Sequence, residues 1–214
     1  MEQETDSYSE VNNLIREINN LHKVFSLGIE DFLNYNLKRS VRSVVDETGI
    51  NRDFLILINK YKIALNAGVS SFLDVQINFP SVRYRIKQGE SISEKILYYM
   101  TANHEYGGVP LNKCLNDFLG FRILVSDLDS LYECLMSDND LKGVVKLLLR
   151  EDGPYRGLHL YFKNGKNKFF PWELQIWDKS QAEQNELSHS EHKQKRKYIS
   201  LAQTYYDGNL EKEE

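Results

Sequence analysis

Cysteine is scarce in this 214-residue chain: the two present, Cys114 and Cys134, sit among apolar neighbours, which excludes a disulfide-stapled scaffold or a cysteine-rich zinc site. Proline is almost as rare, at 4 residues, and no internal repeat or long low-complexity tract appears. Long apolar runs are missing too, since none approaches the roughly 20 residues needed to span a bilayer. Charge of one sign is also lacking: a net charge of −4 is too mild to name a partner, because clustering of charge matters more than its sum. The start, Met1 to Glu10, is polar and acidic. It has neither the basic residues nor the apolar core of an export signal, so a cytoplasmic protein is expected.

What is present, 41% apolar and 27% charged residues, suits one compact domain with a helical elaboration. The first third follows a helical period, with Val11, Leu14, Ile15, Ile18, Leu21, Phe25, Ile29, Phe32 and Leu33 on one stripe and Ser9 as a candidate cap. A second helix is expected from Phe54 to Leu65, ending near Gly68. Beyond Phe72 the texture shifts to short runs between turn residues. These predict strands at Val82–Ile86, Phe121–Val125, Val144–Leu149, Leu158–Phe162 and Phe170–Ile176. Helices are expected at Ser91–Thr101, with Ser91 and Glu94 spaced as a capping box, at Leu128–Met136 and at Gln181–Tyr205. The expectation is an α+β fold, a mixed sheet flanked by helices, with an N-terminal helical cover and a long C-terminal helix. The working division is a helical region over 1–72, a core over 73–207 and an acidic tail over 208–214.

Two groups of residues bear chemistry. Arg85 and Lys87 alternate on one strand face, and Ser91 and Lys95 follow one turn apart at a helix start, where backbone N–H groups add to the positive field. Such a comb suits a polyanion, although a solvated basic edge has the same composition. Opposite in character, Asp117 precedes a glycine turn into a strand carrying Arg122, and Glu173 shares a strand face with Gln175. Two carboxylates at strand ends facing a basic comb suit Mg²⁺, which takes one or two carboxylates and completes its shell with water and phosphate oxygens. Taken alone, Asp117 also fits a turn or cap.

These motifs resemble the synthetase domain of RelA/SpoT homologues, particularly the small alarmone synthetases, whose sheet is nucleotidyltransferase-like. Arg85-x-Lys87-x-x-x-Ser91-x-x-x-Lys95 is similar to the family's ATP motif and Asp117-x-x-Gly120-x-Arg122-Ile123 to its metal motif. Tyr155-Arg156-Gly157-Leu158-His159 is similar to the acceptor loop and Glu173-Leu174-Gln175-Ile176 to the second acidic motif, with His189 in the closing helix. The resemblance implies pyrophosphate transfer from ATP to a ribose hydroxyl. Arg85 and Arg122 would flank the adenine, Lys87, Ser91 and Lys95 would hold the triphosphate, and Asp117 and Glu173 would bind Mg²⁺. Glu173 would also help deprotonate the attacking hydroxyl. Tyr155, Arg156, His159 and Gln175 would receive the acceptor, Tyr155 by stacking on its base.

The acceptor side departs from the family pattern. Pro154 stands where glycine is common, Gly157 where serine is, Trp177 where an arginine is typical, and Ala182 where a base-reading asparagine is frequent. Trp177 cannot make the bidentate oxyanion contacts of a guanidinium. An intact donor half with an altered acceptor half resembles the toxin members, which act on the 3′ CCA end of tRNA and are neutralised by an antitoxin. Lys38, Arg39 and Arg42, and Lys193, Lys195, Arg196 and Lys197, form basic groups able to track a phosphate backbone, or plain solvated helix faces. The competing expectations are GDP or GTP as acceptor, giving (p)ppGpp, and an inactive module that binds nucleotide or antitoxin. The first 70 residues contain only His22 and no histidine-aspartate pair, so no hydrolase activity is expected.

Overall fold

The computed structural model of the protein describes residues 2–188, 190, 191 and 194. In chain order the elements are α1 (Glu2–Gly28), β1 (Val45–Asp46), β2 (Gly49–Ile50), α2 (Arg52–Ala67), α3 (Val69–Asn78), β3 (Arg83–Ile86), α4 (Gly89–Tyr98), α5 (Leu111–Cys114), β4 (Leu119–Val125), α6 (Leu128–Ser137), β5 (Val145–Asp152), β6 (Tyr155–Phe162) and β7 (Trp172–Asp178). Helical backbone continues over 182–188. The five longer strands form one mixed sheet in the order β3-β4-β7-β6-β5. Only β4 and β7 run parallel in it; the other neighbours are antiparallel.

Alternation along the strands divides the sheet into two faces with different tasks. Phe121, Ile123, Leu158, Leu160, Phe162, Trp172, Leu174 and Ile176 are buried on one of them. Helix α1 covers that face, packing on α3, α6 and β6 through Val11, Leu14, Ile15 and Ile18, all fully buried. Trp172 lies at the centre, ringed by His22, Phe25 and Phe72, and its indole N–H donates to the Tyr61 hydroxyl at 2.9 Å. That hydrogen bond lets a polar atom sit in the core without an unsatisfied donor.

Local signals set several boundaries. Asn51 caps α2, its side-chain oxygen accepting from the amides of Asp53 and Phe54, and Asp127 caps α6 through the Ser130 amide. Elsewhere the expectations need correction. Helix α1 runs straight through Ser9, which caps nothing, and stops at Gly28, leaving Phe32 37% exposed. The Ser91–Glu94 capping box does not form. The Lys87 amide donates to the Phe118 carbonyl and carries the strand to its end, so α4 begins at Gly89 with Gln88 as an uncapped N-cap residue. An extra helix, α3, runs across the expected change of texture at Phe72. Neither cysteine is in a disulfide, and no described helix is long and apolar enough to cross a membrane.

Candidate active site

The face of the sheet away from α1 carries the polar residues, and cross-strand register aligns them. Arg83 and Arg85 on β3 sit opposite Arg122 and Gly120, Gly120 and Arg122 opposite Glu173 and Gln175, and these opposite Tyr161 and His159. Where β3 leads into α4, the Lys87 ammonium meets Asp117 at 2.5 Å and the Lys95 ammonium meets its other oxygen at 3.0 Å, with side-chain exposures of 7%, 12% and 17% for Lys87, Lys95 and Asp117. Lys95 also donates to the Asn116 side chain at 3.2 Å. Burial alone would push the Asp117 carboxyl up, but the two ammonium groups outweigh it and hold the acid well below its usual range. The comb and the acid are thus in direct contact, with Ser91 one turn before Lys95 on α4.

Glu173 lies close enough to Asp117 that the Asp117 charge opposes its ionisation. Burial also opposes ionisation, yet Glu173 is held below the usual carboxylate range by its hydrogen bond with His159 and by the Lys95 charge. His159 Nδ1 is 2.7 Å from Glu173 Oε1, and the Gln175 amide donates to Oε2 at 2.9 Å. Arg122 donates to the Gln175 oxygen through Nε and Nη2, at 3.2 and 3.1 Å, and to Glu186 through Nη1 at 2.6 Å. Burial pulls the Arg122 guanidinium down, Glu186 works against that, and the Arg85 charge adds to it. His159 Nε2 lies 2.6 Å from the Tyr155 hydroxyl, and burial raises that hydroxyl to about 12, so the phenol stays protonated.

Asp117 and Glu173 supply hard carboxylate oxygens, which fit Mg²⁺. Among the described residues no group of three or more His, Cys, Asp or Glu side chains gathers to hold a metal.

The sheet brings together Arg85, Lys87, Lys95, Asp117, Arg122, Tyr155, His159, Glu173 and Gln175. Arg156 does not join them. Alternation along β6 turns it away from Tyr155 and His159, and its guanidinium pairs with Asp129 on α6 and Glu151 on β5. Of the first basic group, Lys38 and Arg39 are exposed, Arg39 lies over the Tyr35 ring, and Arg42 donates to the Glu105 carbonyl at 2.9 Å. Their segment is stitched to 109–112, just ahead of Asp117, by hydrogen bonds from Val41 to Val109 and from Leu111 to Arg39. Lys193, Lys195, Arg196, Lys197 and His189 lie outside the described residues.

The structure adds residues that sequence reading passed over. Tyr161 is buried beside Glu173, and burial together with that carboxylate raises its hydroxyl. Arg150 on β5 faces Gly157 across the hairpin, and Tyr99, just beyond the end of α4, feels the charges of Lys95, Asp117 and Arg150. Counting in steps of two from His159 reaches Tyr161, so that residue was open to discovery; Arg150 needed the hairpin register.

No family model and no curated protein matches the chain. Solved structures with a similar chain course include small alarmone synthetase 2 from Bacillus subtilis, at 20% identity over 74% of this chain and 95% of that one, with a TM-score of 0.38. Small alarmone synthetase 1 from Bacillus subtilis follows at 18% identity, 75% and 93% coverage and a TM-score of 0.35. Its form bound to AMPCPP gives 17% identity, the same coverage and a TM-score of 0.32.

Proposed function

We propose that the protein is a Mg²⁺-dependent pyrophosphotransferase that moves the terminal pyrophosphate of ATP to a ribose hydroxyl, with the 3′ CCA end of tRNA as acceptor. The observation that carries this reading is the pair of lysines converging on Asp117 from a strand end and the following helix, with Glu173 beside it on the face shared by β4 and β7. The triphosphate takes Lys87 and Lys95 from Asp117, in exchange for the carboxylate they now neutralise. Arg85 and Arg122 flank the adenine. Asp117 and Glu173 hold Mg²⁺, which when bound supplies charge neutralisation at the phosphate oxygens.

The acceptor oxygen attacks the β-phosphorus, the bond from that phosphorus to the bridging α–β oxygen breaks, and AMP departs. Glu173, kept ionised by its donors, receives the hydroxyl proton. The side chains thus supply alignment and charge compensation without a covalent protein intermediate.

The tRNA acceptor is supported by position 177, where the buried indole of Trp177 offers no oxyanion contact, and by Lys38, Arg39 and Arg42 near the donor end. An antitoxin partner belongs to the same reading. The rival acceptor, GDP or GTP, is favoured by exposed Arg150 on the Tyr155 face, a guanidinium within reach of an acceptor phosphate. The test supplies γ-labelled ATP with Mg²⁺ and either deacylated tRNA or GDP and GTP. The expected result is label on the tRNA 3′ end with matching release of AMP. Label in guanosine nucleotide alone overturns the acceptor, and no acceptor-dependent AMP overturns the transfer.

A further inference from the structure

Trp177 lies on the polar face of β7, yet it is only 1% exposed. Its contacts account for this. The Arg122 guanidinium stacks on the indole with its carbon 3.6 Å from the ring centroid. The indole N–H donates to the Tyr155 hydroxyl at 3.0 Å. The edge of the ring fills the space above Gly157, where any Cβ would come within 2.7 Å of Cδ1 and 3.0 Å of Nε1. Glycine at 157 and tryptophan at 177 are therefore a matched pair: a side chain at 157 displaces the indole.

These contacts close a ring of six side chains from β4, β6 and β7, passing from Trp177 to Tyr155, His159, Glu173, Gln175 and Arg122 and back to the indole. The ring has a direction. An indole N–H only donates, so the Tyr155 oxygen must accept from it, and its own single proton is left for His159 Nε2. His159 then carries its proton on Nδ1 and donates it to Glu173, satisfying every polar atom of the relay.

We infer that Trp177 is a positioning residue for both halves of the site: its face seats Arg122, and its N–H anchors the Tyr155 hydroxyl that donates to His159. What Arg122 and Glu173 touch in turn rests on the pyrophosphotransfer reading. The ring itself does not.

The experiment compares Trp177→Phe, Trp177→Leu, Gly157→Ala and Tyr155→Phe. Long-range ¹H–¹⁵N spectra read the His159 ring nitrogens, and titration with Mg²⁺ and AMPCPP reads donor affinity. Phenylalanine keeps a ring face and loses the N–H. In that variant AMPCPP affinity should stay within about twofold, while the His159 ring-nitrogen signals shift as the Tyr155 hydroxyl loses its anchor and kcat falls about tenfold. Leucine removes the face as well and should weaken AMPCPP about 3- to 10-fold. Gly157→Ala should resemble Trp177→Leu, and combining the two should add little.

A variant that fails to fold leaves Tyr155→Phe, which should shift the Trp177 indole N–H signal by removing its acceptor. An unmoved indole signal there, unmoved His159 ring-nitrogen signals in Trp177→Phe, or unchanged AMPCPP affinity in Trp177→Leu each overturns the proposal. If the unaltered protein binds no AMPCPP, the transfer reading and the Arg122 half fail together. The ring-nitrogen and indole measurements then decide the remaining half by themselves.

Discussion

Replacing Asp117 by Asn tests the donor side most directly, because it removes a charge and almost no volume. The carboxylate neutralises two ammonium groups whose side chains are 7% and 12% exposed. Removing one partner of a buried pair costs about 3–5 kcal/mol, and the retained amide oxygen recovers about 1 kcal/mol as a hydrogen-bond acceptor. The net loss should be about 2–4 kcal/mol near neutral pH, or roughly 4–16 °C in melting temperature for a chain of this size. The loss should also depend on pH. Burial raises the Asp117 carboxyl and the lysines lower it further than that, so its folded value lies below its unfolded one. Its stabilisation is then complete above about pH 4 and disappears as the pH falls further toward the folded value. Melts of both proteins at about pH 7, 5 and 3.5 should show the gap persisting at the first two and narrowing at the last. Metal-free AMPCPP should stabilise Asp117→Asn more than the unaltered protein, because its phosphates meet two lysines without a competing carboxylate. Equal stability at every pH, or equal stabilisation by the nucleotide, would refute the double ion pair.

His22 is fully buried, and burial drives its imidazole down to about 4 despite the bond to the Phe170 carbonyl. Because the folded value is depressed, stability is retained above the unfolded value and lost as pH falls from about 6.5 toward 4, by about 3 kcal/mol. His22→Gln, which keeps an N–H and does not titrate, should flatten that part of a pH series of urea melts; an unchanged slope would remove His22 as its source. Arg156→Ala should leave the acceptor kcat/KM within about twofold and cost no more than about 1 kcal/mol of stability, since its pairs with Asp129 and Glu151 are exposed. A tenfold or larger fall in kcat/KM would return Arg156 to the acceptor side.

The sheet was legible where burial imposes alternation. The expected strands at Phe121–Val125, Leu158–Phe162 and Phe170–Ile176 each overlap an observed strand, β4, β6 and β7, because every second residue in each is a large apolar side chain facing the core. Helix α3 was harder to see: Leu73 and Ile77 are 46% and 73% exposed while Phe72 and Val75 are buried, so its apolar residues trace no single stripe. The lysine comb and the two acids could be named from spacing and resemblance. Their contact depends on the β3–β4 register and on the turn into α4, which are long-range facts. The Gly157–Trp177 match was hidden for the same reason. It exists only because β6 and β7 lie side by side, and no local pattern announces that a glycine serves a ring twenty positions away.

The two rows of β7 interleave, Trp172, Leu174 and Ile176 entering the core while Glu173, Gln175 and Trp177 face the opposite way. A single inserted or deleted residue within this stretch would exchange the rows beyond it, sending carboxylate or amide among the aromatic rings and an aliphatic chain to the chemistry. The segment can therefore change its letters one at a time, but its length is not free to drift.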